Sequence, residues 1–312
     1  MRKIRWVLAH EPIELFLRAA KRFTREVNER AAGQLDIECM TLSEYAERYN
    51  GGRKVTKHDL LDLMESGAIE MSQMYTTWLG ERYSKDMRVL DLPFLFRDHD
   101  HAAAVLDGEI GECLLEGLSK TGVKGLAFTY SGGFRMIPAV KAINSMADFE
   151  GLRIRSNRSP VAVDTFKAVG AEPVVMELED ISGAVQSGEI VGGESTYPRF
   201  YGLKQNEVCD VINDTGHSLF LTSIITSHKF WDSLEPGLQA IIRIAASNAA
   251  RSERIESVED IALVQQRCSE EGIEVVKLPA EELSKFKAAT VPVYAKYERE
   301  FGGLVARIQQ TQ

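Results

Sequence analysis

Arg155 closes the apolar run Leu152-Arg153-Ile154-Arg155, and Ser159-Pro160 just beyond has the residue types that open a helix. A serine cap followed by proline leaves backbone N–H groups and a positive dipole end a few residues from a guanidinium. That is an anion site in outline. A guanidinium offers a carboxylate two parallel donors, and each charge-assisted bond contributes about 1.5–3 kcal/mol. Spacing alone also admits a plainer reading, in which Arg155 ends its strand facing water. A second cation, Arg135, follows Ser131-Gly132-Gly133-Phe134. Paired glycines permit a close backbone approach or a sharp turn there; a surface arginine on a connecting loop is the alternative. Tyr75, Thr76 and Trp78 in one segment, and Glu194, Ser195 and Tyr197 in another, supply rings, hydroxyls and a carboxylate for the remainder of a small molecule. Aromatic residues at strand ends equally fill cores. His10 and His217 complete the candidates, each more naturally structural than catalytic.

Other chemistries find no pattern. The chain has no G-x-S-x-G, no H-E-x-x-H and no G-x-G-x-x-G, and the stretch from Gly117 to Lys124 departs from a phosphate-binding loop. Asp98-His99-Asp100-His101 has metal-like residue types but reads as an exposed capping loop before a helix, so no metal and no cofactor is expected. His58 and His228 read as surface residues. Cys39, Cys113, Cys209 and Cys268 are far apart and form no C-x-x-C, which favours buried, small apolar side chains. With 37 Lys and Arg against 46 Asp and Glu, the formal charge of −9 has the wrong sign for neutralising phosphates, so nucleic acid is not an expected partner.

The elements that must position these residues alternate between strand and helix. Ile4 to Ala9 reads as a strand, Pro12 opens a helix with apolar residues at helical spacing, Leu35 to Met40 is a strand, Asp59 to Glu65 a helix and Ile69 to Met74 a strand. The layout repeats as a strand over Leu152 to Arg155, a helix over Pro160 to Val169, a strand over Glu172 to Val175, a helix over Ile181 to Gln186 and a strand from Ile190. Gly67 and Gly188 fall at matching places as helix stops. Strands are also expected at Val89 to Phe94, Val123 to Tyr130, Val208 to Ile212 and Leu219 to Thr226, with a helix around Ala102 to Ser119 and a long helix from Pro236 to about Glu270.

Two βαβαβ units imply an α/β protein with two mostly parallel sheets and two lobes. The expected lobes are residues 1–127 with 214–254, and 128–213 with 255–312, joined by crossing strands and the long helix. Ligands of open parallel sheets bind beyond the carboxyl ends of strands. Those ends here are His10-Glu11, Tyr75 to Trp78, Arg155 to Ser159, and Glu194 to Tyr197, which a cleft between facing lobes would gather around a guest.

Leu92-Pro93-Phe94-Leu95-Phe96, Gly151-Leu152-Arg153-Ile154-Arg155, the stretch from Gly188 to Glu194, and Phe230-Trp231-Asp232-Ser233-Leu234 occur in an order and spacing that resemble the dicarboxylate-binding solute receptors of tripartite ATP-independent periplasmic (TRAP) transporters. The resemblance spans nearly the whole chain. It implies a non-enzymatic, monomeric periplasmic receptor, here a mature segment without its leader. Two α/β lobes would close on a small organic acid and deliver it to membrane subunits driven by an ion gradient. It further implies that Arg155 pairs with the ligand carboxylate, that Arg135 is a second contact, and that the loop after the Ile190 strand supplies polar groups. The family's usual Asp-Gly-x-Glu-Asn is here Val191-Gly192-Gly193-Glu194-Ser195, which leaves the identity of the acid open. Two other functions fit the same residues: a bilobal enzyme with Glu194 or His10 as general base and Arg155 as anchor, and a receptor that presents its liganded form to a sensor protein.

Overall fold

The structure is a computed structural model that describes residues 1–10, 12–301 and 303–312. Glu11, part of one expected ligand segment, lies outside the described residues. In chain order the strands are β1 (Arg2–Leu8), β2 (Leu35–Thr41), β3 (Met71–Tyr75), β4 (Val123–Phe134), β5 (Ile137–Ala139), β6 (Arg153–Ser156), β7 (Glu172–Val175), β8 (Gly192–Gly193), β9 (Val211–Asp214), β10 (Leu219–Ser227) and β11 (Glu274–Lys277). They form a five-stranded sheet ordered β2-β1-β3-β10-β4 and a six-stranded sheet ordered β11-β9-β5-β8-β6-β7.

The chain divides into two compact units, Met1–Ser84 with Val105–Thr129 and Leu221–Ile255, and Lys85–Ala104 with Tyr130–Phe220 and Glu256–Gln312. Residues 85–104 and 214–220, expected in the first lobe, group with the second unit. In the first unit β1 pairs in parallel with β2 and β3, as a βαβαβ path requires, and β10 joins β3 antiparallel. The helix Ile13–Arg30 buries Phe16, Ala19, Ala20, Phe23 and Val27, the stripe its sequence spacing defines, and Trp6 meets Phe23 at a ring distance of 5.0 Å. In the second unit β6 pairs in parallel with β7 and β8, while β5 runs antiparallel to β8 and β9. Its core gathers Ile137, Phe149, Ile154, Phe166 and Phe286.

Several expected elements differ. Val89 to Phe94 is not a strand: Lys85–Asp91 winds into a 3-10 helix, and Phe94 takes a left-handed φ of 54°, giving its N–H to the His217 carbonyl at 2.7 Å. The helix expected over Ala102 to Ser119 is two, His99–Asp107 and Glu109–Glu116. The break brings the Leu106 carbonyl so close to Gly111 that a Cβ there would lie 2.1 Å from its oxygen. The strand expected at Val208 to Ile212 begins at Val211, after a short turn of helix over Gln205–Glu207. Of Asp98-His99-Asp100-His101, the two aspartates are exposed and Asp98 accepts from the His101 N–H at 2.7 Å as the expected cap, but the helix already begins at His99, and His101 is buried with Nε2 2.8 Å from the Ile308 carbonyl. Cys209 and Cys268 are buried as expected, Cys39 is half-buried and Cys113 is exposed. His58 is exposed and His228 half-buried.

Candidate functional site

Arg155 is brought inward by strand pairing. It lies opposite Gly193 in the parallel β6–β8 register, and a Cβ on Gly193 would fall 2.6 Å from Arg155 Cβ. Only a residue without a side chain fits beside the arginine stem. The guanidinium is 3% exposed; its Nε donates to the Met176 carbonyl at 2.8 Å, and Nη1 reaches the Glu194 carbonyl oxygen at 3.3 Å. The helix Pro160–Ala168 starts as expected, with Ser159 extended at the cap and proline at its first position. The Ser159 hydroxyl is buried without a hydrogen-bond partner among the described residues and does not cap that helix.

Glu194 follows β8, is 1% exposed, and is where Arg155, Arg135 and His217 converge. Its Oε1 accepts from Asn157, the backbone N–H at 2.7 Å and Nδ2 at 2.6 Å, and lies 3.5 Å from Arg155 Nη1. Its Oε2 lies 3.6 Å from Arg135 Nη1 and 3.7 Å from His217 Nε2. Burial alone would raise the carboxyl pKa, but Arg135 first, then His217 and Arg155, hold it well below the usual carboxylate range. So held, Glu194 is a poor proton acceptor, which weighs against its use as a general base. For His217 burial outweighs the neighbouring carboxylate and lowers the pKa, leaving a neutral ring whose Nδ1 is 2.7 Å from the Thr215 hydroxyl.

Arg135 sits between β4 and β5, 3% exposed, with its guanidinium carbon 3.6 Å from the centre of the Phe220 ring. The glycines before it lie within β4 rather than in a sharp turn, with φ of 93° and 91°, and Gly132 makes the close approach expected: a Cβ there would lie 2.3 Å from Thr196 Oγ1. Ser195 is fully buried in an antiparallel bridge with Met136, its hydroxyl without a hydrogen-bond partner among the described residues. Tyr197 is buried, and burial first, then Asp214, push its phenol well above the ordinary range. A cavity of about 10 Å³ opens beside Glu194 and His217, with Thr165 and Phe166 on its wall. That is room for about one water and not for an acid of several carbons.

The other candidates belong to the first unit. The buried His10 ring lies 4.1 Å from Tyr75 and 6.2 Å from Trp78, and the exposed His58 stacks on Trp78 at 4.9 Å. Thr76 gives its hydroxyl to the Leu221 carbonyl at 3.2 Å. Sequence reasoning passed over Asn157, Thr215 and Arg199. Asn157 was legible as the polar residue between Arg155 and Ser159. Arg199 is fully buried, with Nε and Nη2 on the Ser131 hydroxyl at 3.1 and 2.6 Å, and nothing in its local sequence signals that.

The sequence model of DctP, bacterial extracellular solute-binding protein family 7, matches residues 9–300. The chain belongs to this family. Among its family 7 relatives, the C4-dicarboxylate-binding periplasmic protein DctP of Vibrio cholerae is 30% identical over 284 residues, 91% of this chain and 82% of that one. The 2,3-diketo-L-gulonate-binding periplasmic protein YiaO of Escherichia coli is 29% identical over 262 residues, 83% of this chain and 76% of that one. A solved TRAP periplasmic solute binding protein from Polaromonas sp. JS666, bound to D-erythronate, superposes with a TM-score of 0.85 at 28% identity, covering 100% of this chain and 98% of that one. The resemblance carried by the sequence motifs and the two-sheet α/β fold are thus borne out. These relatives are solute-binding proteins by name, not enzymes, and among the described residues no helix is long and apolar enough to cross a membrane.

Proposed function

We propose that this chain is an extracytoplasmic receptor that captures a small organic acid by pairing its carboxylate with Arg155 and Arg135, and hands it to the membrane subunits of a TRAP transporter. The observation that carries the reading is a set of buried polar groups in the second unit without hydrogen-bond partners among the described residues: Arg135 Nη1, His217 Nε2, and the hydroxyls of Ser156, Ser159 and Ser195. Buried polar groups are rarely left unsatisfied, and a bound anion with polar substituents would satisfy groups of this kind. The relatives named for C4-dicarboxylate and diketogulonate, and the neighbour holding erythronate, support a small acid as the class. In the first unit, His10, Tyr75, Thr76 and Trp78 are proposed to meet the carbon skeleton and its hydroxyls.

The test is a thermal-shift screen against C4-dicarboxylates, sugar acids and keto acids, followed by titration calorimetry on the hit. A ligand at about 100 times its Kd stabilises the fold by about 2.7 kcal/mol, a readily measured rise in Tm. Arg155→Ala should abolish that rise. Arg155→Lys, which keeps the charge but loses the fork, should weaken binding at least about tenfold. Undiminished affinity in both variants would overturn the assignment.

A further inference from the structure

Arg135 has an anionic neighbour within reach and does not close on it. Its Nη1 stands 3.6 Å from Glu194 Oε2, where a closed pair would measure about 2.7–2.9 Å, and has no hydrogen-bond partner among the described residues. We propose that Phe220 is the positioning residue responsible: its ring holds the Arg135 guanidinium off Glu194, so that Nη1 remains an open donor for the incoming carboxylate. The inference rests on the receptor reading above and adds to it a residue that need not touch the acid.

The residues involved all belong to the second unit. The Arg135 N–H donates to the Ser218 carbonyl at 2.8 Å, which sets the segment after β4 beside the start of β10, and Met136 is tied to Ser195 by two backbone bonds of 2.9 and 2.8 Å. With the backbone so fixed, only the side chain can move toward Glu194. The Arg135 guanidinium carbon lies 3.6 Å from the centre of the Phe220 ring, van der Waals contact that only face-to-face planes allow. A guanidinium stacked in this way keeps its N–H groups in its own plane, directed past the ring edge, and admits no water between the two faces. The ring is held in turn. Phe220 is buried, and the fully buried Arg199 lies 5.1 Å from the same ring centre, with Nε and Nη2 on the Ser131 hydroxyl. Closing Arg135 onto Glu194 would mean sliding off this face. Glu194 cannot come to meet it, because Asn157 holds the other carboxylate oxygen at 2.7 and 2.6 Å. The two groups therefore stay near enough to feel each other's charge and too far apart to use up the donor.

Calorimetric titration tests this, with the tightest binder among succinate, D-erythronate and pyruvate as the probe. Phe220→Leu removes the ring face and keeps an apolar side chain, so its Kd should rise at least about tenfold. Phe220→Tyr restores the face and should stay within about threefold of the native chain. A ring lost from any core can loosen a site, so the measurement is repeated on Arg135→Lys, which keeps a charge for Glu194 but has no planar group to hold. There Phe220→Leu should change the Kd by less than about threefold. An equal loss on both backgrounds, or a Phe220→Leu chain that binds as tightly as the native one, would overturn the positioning role and leave the receptor standing. Where Arg135→Lys binds too weakly to titrate, the contrast of leucine with tyrosine decides, and equal losses in the two overturn the role. Should Phe220→Leu fail to fold, Phe220→Met takes its place. If no small acid binds the native chain, the receptor reading itself falls, and this inference with it.

Discussion

A carboxylate 1% exposed, with two guanidiniums within 3.6 Å, cannot be deleted harmlessly. Glu194→Ala would leave both arginines buried against each other's charge, and breaking a buried ion pair in this way costs about 3–5 kcal/mol. Urea denaturation should show that loss, and a loss under about 1 kcal/mol would mean the arginines find water instead. Gly193 is the complementary case, since its substitution adds atoms. Gly193→Ala places a methyl 2.6 Å from Arg155 Cβ, so the arginine stem must move. We expect about 1–3 kcal/mol of destabilisation and a Kd for the acid raised at least about tenfold. Calorimetry of a folded Gly193→Ala chain with native affinity would show that the β6–β8 register does not position the guanidinium.

At the scale of elements, two exposed glycines in neighbouring turns should respond with opposite sign. Gly183 lies within the helix Ile181–Gln186 and Gly188 just past it at φ 73°, and neither has an atom within 4 Å of an added Cβ. Gly183→Ala should stabilise by up to about 1 kcal/mol, and Gly188→Ala should destabilise by about 1–2 kcal/mol, through the backbone alone. Paired shifts in Tm test this; equal signs would contradict the helix boundary. The repeated Ser-Gly stops, the apolar stripe of Ile13–Arg30 and the β-branched run of Glu172–Val175 were legible because period, cap and breaker agree locally. Val89 to Phe94 misled for the opposite reason: its apolar run suits a strand, but the 3-10 turn and left-handed Phe94 answer to contacts with distant His217 and Phe286. The helix Leu42–Tyr49 was missed although its capping box, Thr41 and Glu44, stood in the sequence. Arg155 and Glu194 could each be picked out from a strand end. Their pairing could not, because two residues 39 positions apart are brought together by sheet pairing.

For the whole molecule, acid should weaken the fold in two stages. His217 has its pKa lowered from 6.5, so as pH falls the unfolded chain takes up this proton first and stability drops; the half-buried His99, its pKa also lowered by burial, adds to the same stage. Glu194 has its pKa depressed from 4.5, so its contribution is present above that value and is lost as pH falls below it toward the folded-state pKa. Tm measured from pH 8 to 3 should fall first near 6.5 and again below 4.5, with the first step smaller in His217→Asn. A flat profile down to pH 5 would refute the buried neutral histidine. Net charge leads to a kinetic expectation. At −9 the chain repels an approaching anion at long range, while Arg155 and Arg135, proposed to receive it, are buried. Between roughly 0.01 and 0.1 M salt the Debye length falls from about 30 to about 10 Å, so association should speed up severalfold while dissociation changes little. Stopped-flow rates that fall with salt would place the receiving charge at the surface.

The strand order of the first sheet governs how the chain can be made. β10, residues Leu219–Ser227, stands between β3 and β4, which precede it by long stretches of sequence. Until the ribosome has passed residue 227, β4 lacks its partner in that sheet. The first unit is not complete until residue 255. The segments of the two units alternate along the chain, so neither unit is complete until its last segment has been made, and no single cut yields an autonomous half.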